Sequence, residues 1–435
     1  MSRWLALGLA LSLGFSTACG TNRGGGGRGG GSDLGDPTCQ GLSCFQVACN
    51  NGGSTTISGK VTAPNGLDPV NGAVVYVPAG VVAPLTTGVS CEICSDGASN
   101  ALVTATTATD GSFTLTNVPA TTQVPLVIQK GRFRRQIKFD VGACVDNKIS
   151  IDQARLPKNQ KEGDLPKMAV GVGDYDQIEC VLRSIGIDDS EFSGPTGPGA
   201  VHLYDNAGGK PSLESLVYDS ATLNQYNLVF VNCTNTTFDT YSNQYLARMN
   251  IGNYVGAGGR LYVTDWSYDY MEQVSAFAPY IFFDGGGDMD KPQPLGAAQW
   301  VWSGDPLTAT IGDPNLAEWM KDANASTNGT VDIEGSWALA LSTSPDPRYK
   351  STTWVHGTAN GTDRPMTVTY DYNSCGKVLW SSYHTQEPGG GSSSGIFGSS
   401  KFPGYCISTP STMIAQEKIL EYLILQISSC IDPIG

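Results

Sequence analysis

Apolar and polar positions change their rhythm near residue 165. Before it lie short β-branched or alternating runs, Ile57–Val61, Ala73–Val77, Ser112–Thr116 and Val124–Ile128, separated by Gly, Pro, Asn and Asp. Side chains two apart share one face of a strand, so these runs predict an all-β sandwich over residues 51–156. Thr109-Asp110-Gly111 gives turn chemistry ahead of Phe113: the Asp bonds its own backbone and the Gly accepts positive φ.

After a polar connector, 157–166, strands alternate with helical stretches. Lys167–Val172 reads as a strand, followed by a helix from about Asp176 to Ile185 with Ile178, Val181, Leu182 and Ile185 on one face. Val201–Tyr204 and Asn227–Cys233 follow, the second with an unbroken apolar core that suits a strand covered on both sides. A helix over Tyr241–Val255 stops at Gly256-Ala257-Gly258-Gly259, and Arg260–Asp265 is the next strand. Met366–Tyr370, Lys377–Ser381 and an amphipathic helix over Ser411–Ser428 close the region. This alternation predicts an α/β domain over 167–430, a doubly wound and mostly parallel sheet.

The first residues, MSRWLALGLALSLGFSTAC, put one basic residue ahead of a short apolar run. The run is shorter than the ~20 residues that span a bilayer, so 1–18 reads as an export signal. Ser16-Thr17-Ala18-Cys19 resembles a bacterial lipoprotein box, with Ser16 where Leu is commonest. That resemblance implies lipidation of Cys19 as the mature N-terminus, and the Gly-rich segment after it reads as a tether within 19–50. Gly20 in place of an acidic residue tilts the expected address to the outer membrane or cell surface.

With 26 Lys+Arg against 40 Asp+Glu the formal charge is -14, which repels nucleic acid and leaves the lipid as the expected membrane contact. Arg132, Arg134 and Arg135 form a basic cluster that reads as a solvated hairpin. The 12 cysteines fit an oxidising compartment. Cys39, Cys44, Cys49, Cys91, Cys94 and Cys144 could bridge within the first domain; the later five, being odd in number, leave a free thiol or a partner for the early group. No His-x-x-x-His pair joins His202, His356 and His384, so neither a metal nor a cofactor is expected. Asp284, Asp288 and Asp290 read as an acidic turn.

ISGKVTAPNG, NGAVVYVP, TTATDGSFTLTNVP and PLVIQKGRFRRQ resemble the carboxypeptidase regulatory-like, transthyretin-like β-sandwich, which implies a non-catalytic accessory module. NLVFVNC, NYVGAGGRLYVTDWS, DPLTATIGDPNLAEWM and GKVLWSSYHTQ resemble the class I glutamine amidotransferase-like fold in its trehalose-utilisation branch. The pairing of modules is similar to that of exported lipoproteins of myxobacteria. The second resemblance implies a flavodoxin/amidotransferase-like sheet with a cysteine in a G-x-C-x-G turn, a histidine base and an orienting acid.

Ligands of open α/β sheets bind beyond the carboxyl ends of strands. There the sequence puts Asp265-Trp266-Ser267, Tyr383-His384-Thr385-Gln386-Glu387 and Cys233-Thr234-Asn235. The turn after Thr264 has no cysteine, so the family's thiol mechanism is expected to be lost. Cys233, one strand early, reads as a disulfide or buried thiol. The expectation is a lipid-anchored, non-catalytic module that binds a glycan, peptide or envelope protein, with Trp266 and Tyr383 at the pocket mouth. The alternative is a hydrolase with Ser267 as nucleophile, His384 as base and Glu387 or Asp265 as orienter.

Overall fold

The computed structural model describes residues 39–91, 100–234, 238–283, 287–300, 306–385, 402–406 and 409–429. The export signal, Cys19, most of the tether, Cys94, Asp284, Glu387 and Cys430 lie outside the described residues. The chain from Gln40 onward clusters as one compact unit.

The strands before residue 165 are β1 (Thr56–Lys60), β2 (Val74–Pro78), β3 (Ala101–Thr106), β4 (Ser112–Thr116), β5 (Val124–Lys130), β6 (Phe133–Phe139), β7 (Asp146–Lys148) and β8 (Gly163–Asp164). They make a sheet of order β4-β1-β7 and another of order β3-β2-β5-β6-β8. Ile57, Phe113 and Leu115 from the first and Val75, Val77, Leu126 and Ile128 from the second enter one apolar core. Within the connector, β8 pairs with β6. One expectation is corrected, because the arginine cluster is not solvated: Arg132 and Arg134 are buried, Arg134 reaching Asp164 at 2.8 Å and Arg132 donating to the Thr86 carbonyl at 2.7 Å. A buried guanidinium needs such partners, and the folded chain supplies them.

The second region adds β9 (Met168–Val172), β10 (Phe192–Ser193), β11 (Val201–Asp205), β12 (Leu228–Val231), β13 (Arg260–Thr264), β14 (Ile281–Phe283), β15 (Gln299–Trp300), β16 (Leu307–Ile311), β17 (Thr330–Ile333), β18 (Ala338–Thr343), β19 (Ser351–Ala359), β20 (Thr362–Tyr372) and β21 (Gly376–Ser381). Ten of them form one sheet of order β10-β11-β9-β12-β13-β21-β20-β19-β16-β17. The strands from β10 to β21 in that order are parallel, while β20, β19, β16 and β17 join antiparallel. The sheet expected to be mostly parallel is thus a mixed one, with six of its ten strands in the parallel run. Hairpin neighbours such as β19 and β20 alternate like any strand, and their sequence carries no sign of which sheet they extend.

Alternation sorts each central strand between two cores. Leu228 and Phe230 of β12 face one, with Val170 and Leu379; Val229 and Val231 face the other, with Leu261, Val263 and Trp380. Of the longer helices, α1 (Ile178–Ser184) and α5 (Ala415–Ile427) cover the first face, and α3 (Gln244–Gly256) covers the second with α2 (Leu213–Tyr218). α4 (Pro314–Asp322) also lies on the first face, where Trp319 donates its indole N–H to the Pro69 carbonyl at 2.6 Å.

The 62–71 loop is held there by more than this bond. Lys418 on α5 reaches Asp68 at 2.6 Å and Glu421 at 3.2 Å, all three buried. Disulfides Cys91–Cys375, Cys180–Cys406 and Cys49–Cys144 add covalent ties. The early cysteines therefore do not all pair among themselves. Cys91 pairs with the late Cys375.

Burial pushes the Glu421 carboxyl up to about 8, with Lys418 only partly offsetting it, and raises Asp269 to about 7 and Glu272 to about 6. A carboxyl raised on folding stabilises the fold below its unfolded pKa and loses that contribution as pH climbs through the folded one. Thermal stability should therefore fall from pH 5 to pH 8, by up to ~1.4 kcal/mol per pH unit for each such carboxyl. Glu421→Gln should flatten the slope in melts followed by circular dichroism; a midpoint that rises over this range contradicts the assignment.

Candidate functional site

Pairing register sets the site. β12 and β13 align Val231 with Val263, and β13 and β21 align Thr264 with Ser381. Continued past the sheet edge, these registers bring Cys233 level with Asp265, and His384 follows Ser381 closely on the next strand. Cys233 is a free thiol, and its sulfur, an imidazole nitrogen of His384 and a carboxylate oxygen of Asp265 lie within 4.8 Å of one another. All three residues are buried, at 3%, 1% and 0% exposure.

The backbone fixes each member. Asp265 takes φ of +42°, a left-handed conformation unusual for a side-chain-bearing residue and a common feature of functional turns. Its Oδ1 accepts the N–H groups of Trp337 (3.1 Å) and Ala338, which leaves Oδ2 facing the His384 Nε2 at 2.6 Å. The contact is close, yet neither atom has a hydrogen bond of good angle, and His384 Nδ1 has none either. The Cys233 N–H donates to the Thr264 hydroxyl at 2.9 Å, and the His384 carbonyl accepts from Gln416 at 2.7 Å. Beside them Asp176 accepts from the Thr385 N–H (3.0 Å) and hydroxyl (2.8 Å), tying the loop after β9 to the loop after β21.

Electrostatics couples the group. Burial alone would depress the His384 imidazole, but the neighbouring Cys233 and Asp265 outweigh it and hold the ring well above its usual 6.5. Burial raises the Asp265 carboxyl, with His384 and the two backbone N–H groups opposing. Burial also pushes the Cys233 thiol up to about 11, partly countered by His384. The three groups therefore share their protons as one buried unit. Tyr175 stacks on both His384 and Trp337, its ring centroid 6.4 Å from the imidazole and 6.0 Å from the indole. Tyr175 and Trp337 are both partly exposed, so the cluster lies one side chain below the surface.

Of the residues expected from sequence, His384 and Asp265 meet. Ser267 does not join them: its buried hydroxyl donates to the Asn232 carbonyl at 2.9 Å. Glu387 lies outside the described residues. Trp266 is partly exposed and meets Tyr268 edge-on at 6.0 Å. Tyr383 is not at a pocket mouth; it is fully buried, its hydroxyl 2.7 Å from that of Thr367, because it faces the opposite side from His384 along an extended strand end. Among the other histidines, His202 Nδ1 is 2.7 Å from the Tyr226 hydroxyl and His356 Nδ1 is 2.9 Å from Asp363.

Cys233 is the member that sequence reasoning set aside. One strand early in the chain is, in a parallel sheet, the next strand across, only ~4.8 Å away. The signal was present: Cys233-Thr234-Asn235 is one of the three strand ends that the sequence puts together, set aside only because it lies one strand before the turn. Gly335 was also missed. It has φ of +67°, and a Cβ there would sit 2.9 Å from His384 Nδ1. Gly335→Ala should therefore displace the imidazole and cost about 1–3 kcal/mol. A chemical-denaturation midpoint and the His384 NMR signals of the variant check this; an unmoved ring would refute the contact.

No family model matches the chain, and no curated protein matches it. Among solved structures, a protein described as ThuA-like from Bacteroides uniformis is similar with a TM-score of 0.30 at 9% identity, covering 50% of this chain and 82% of its own. A protein from Thermoplasma acidophilum, described as one component of a GMP synthase, overlaps with a TM-score of 0.29 at 8% identity, covering 51% of this chain and 84% of its own. A cytoplasmic protein from Salmonella typhimurium reaches 0.33 at 14% identity, covering 62% and 100%. At TM-scores this low, none of these likenesses carries chemistry over to this chain.

Proposed function

We propose that the protein is an exported, lipid-anchored envelope enzyme that cleaves a carboxylic amide or ester through Cys233, with His384 as the proton carrier and Asp265 as its orienter. The observation that carries this reading is the convergence of a free thiol, an imidazole and a carboxylate at the ends of three adjacent parallel strands. In the reaction the Cys233 sulfur bonds to the acyl carbon while its proton passes to His384 in its neutral form. The C–N or C–O bond breaks as that proton reaches the leaving group. Water, deprotonated through His384, then cleaves the thioester and restores the thiol. Entry requires Tyr175 to swing from the imidazole, a rotamer change of one partly exposed side chain.

In this reading residues 51–156 are a β-sandwich spacer of the carboxypeptidase regulatory-like kind, supported by the two sheets and their shared core. The α/β domain is amidotransferase-like, with an acid at the elbow and the thiol moved to the neighbouring strand. A second reading, a non-catalytic module for a glycan, peptide or envelope protein, is favoured by the near-complete burial of the same three residues.

Substrate-library screening with mass-spectrometric mapping of acyl adducts separates the two. Cys233→Ala should reduce turnover to background and His384→Ala should lower it ~10²- to 10⁴-fold. Ser267→Ala should keep turnover and cost about 1 kcal/mol of stability. Loss with Ser267→Ala but not Cys233→Ala returns the nucleophile to the serine; absence of turnover and of any Cys233 adduct favours the binding module. Anchoring is checked separately: Cys19→Ser should move the protein from the membrane to the soluble fraction, and unchanged membrane recovery would overturn lipidation at Cys19.

A further inference from the structure

The Cys233 group has a second chemical capacity. Sulfur, nitrogen and oxygen donors from three strands lie within 4.8 Å of one another in a buried site. Asp265 Oδ2 and His384 Nε2 face each other at 2.6 Å without a hydrogen bond of good angle, although Asp265 Oδ1 is satisfied twice by backbone N–H groups; His384 Nδ1 points away, towards Gly335. A buried polar edge without a sound hydrogen bond is destabilising, so the Nε2–Oδ2 edge beside the Cys233 sulfur is one that a Lewis acid would satisfy.

We propose that Cys233, Asp265 and His384 bind a divalent cation of the zinc class through sulfur, carboxylate oxygen and imidazole nitrogen, and that the bound ion masks the thiol. The donor set selects the ion. Thiolate and imidazole favour zinc over magnesium or calcium, which take oxygen cages. Three protein ligands are the number found where a fourth position stays open for water or substrate. Charge closes as well: a thiolate, a carboxylate and a neutral imidazole balance a divalent ion, so the buried site becomes neutral overall. With bonds of roughly 2.0–2.3 Å, neighbouring donors in a tetrahedron stand about 3.3–3.7 Å apart. The 2.6 Å Nε2–Oδ2 edge has to open by about 0.7 Å to admit the ion, a side-chain adjustment. Asp265 is held for this by the Trp337 and Ala338 N–H groups, the outer-shell support that ligating carboxylates commonly have.

The inference deepens the reading of these residues as one thiol site, adding an inhibitory ligand for it. It shares with that reading the convergence of the three side chains and is independent of turnover. The test uses the exported chain from Gly20 onward, stripped with a chelator and titrated with Co²⁺. A thiolate-to-cobalt charge-transfer band, visible d–d bands of four-coordinate intensity and a stoichiometry of one per chain are expected, all displaced by Zn²⁺. Cys233→Ser should abolish the charge-transfer band, and Asp265→Asn or His384→Ala should weaken binding at least about tenfold. Circular dichroism identifies any variant that misfolds, and peptide mapping after iodoacetamide provides a readout on the unaltered chain: Zn²⁺ should suppress alkylation of Cys233 and chelator should restore it.

The two ideas fail in different ways. Turnover or alkylation at Cys233 without a cobalt band, and without protection by Zn²⁺, overturns the metal site and leaves the thiol reading standing. A band that depends on Cys233 in a protein with no turnover overturns the enzyme and leaves the metal site. A band that survives Cys233→Ser places the ion elsewhere and overturns the proposal.

Discussion

The site depends on a buried imidazole held 2.6 Å from a buried carboxylate, with a free thiol beside them. Removing charged groups from water is costly, and the cost is recovered only where the charges meet in good geometry or coordinate an ion. That geometry comes from the parallel part of the sheet. Three neighbouring strands end at one level, Asp265 is bent into a left-handed conformation, and Gly335 leaves the space that the imidazole edge fills. The two apolar cores on either side fix the strands so that these ends cannot slide relative to one another.

The rest of the molecule reinforces that placement. α5 packs on the sheet, accepts the 62–71 loop through Lys418 and Tyr422, and bonds the His384 carbonyl through Gln416. The same helix therefore links the N-terminal sheets to the loop that carries the imidazole. Asp176 joins the strand ends from the other side through Thr385, and Glu179 connects to the disulfide-tied segment through Tyr405 at 2.8 Å. A change in any of these supports reaches the cluster through packed side chains.

Much of this was legible in the sequence, for reasons tied to particular residues. The run LVFV at 228–231 identified a strand covered on both faces, and Asp265 and His384 were found because they follow such strands. Cys233 was also legible as a strand-end residue, but its meeting with the other two was not, because that depends on which strands are neighbours, and chain order does not give sheet order. The solvated expectation for Arg132 and Arg134 failed similarly: their partners, Thr86 and Asp164, come from distant segments. Tyr383 and His384 are adjacent in sequence but face opposite sides, a distinction that requires the strand's orientation.

The central claim is that Cys233, His384 and Asp265 form one electrostatic unit. The chain contains only 3 histidines, so long-range ¹H–¹⁵N spectra of the imidazoles are sparse enough to assign. Cys233→Ser and Asp265→Asn should each shift the His384 nitrogens while leaving His202 and His356 in place. A His384 spectrum indifferent to the loss of the sulfur would contradict the account.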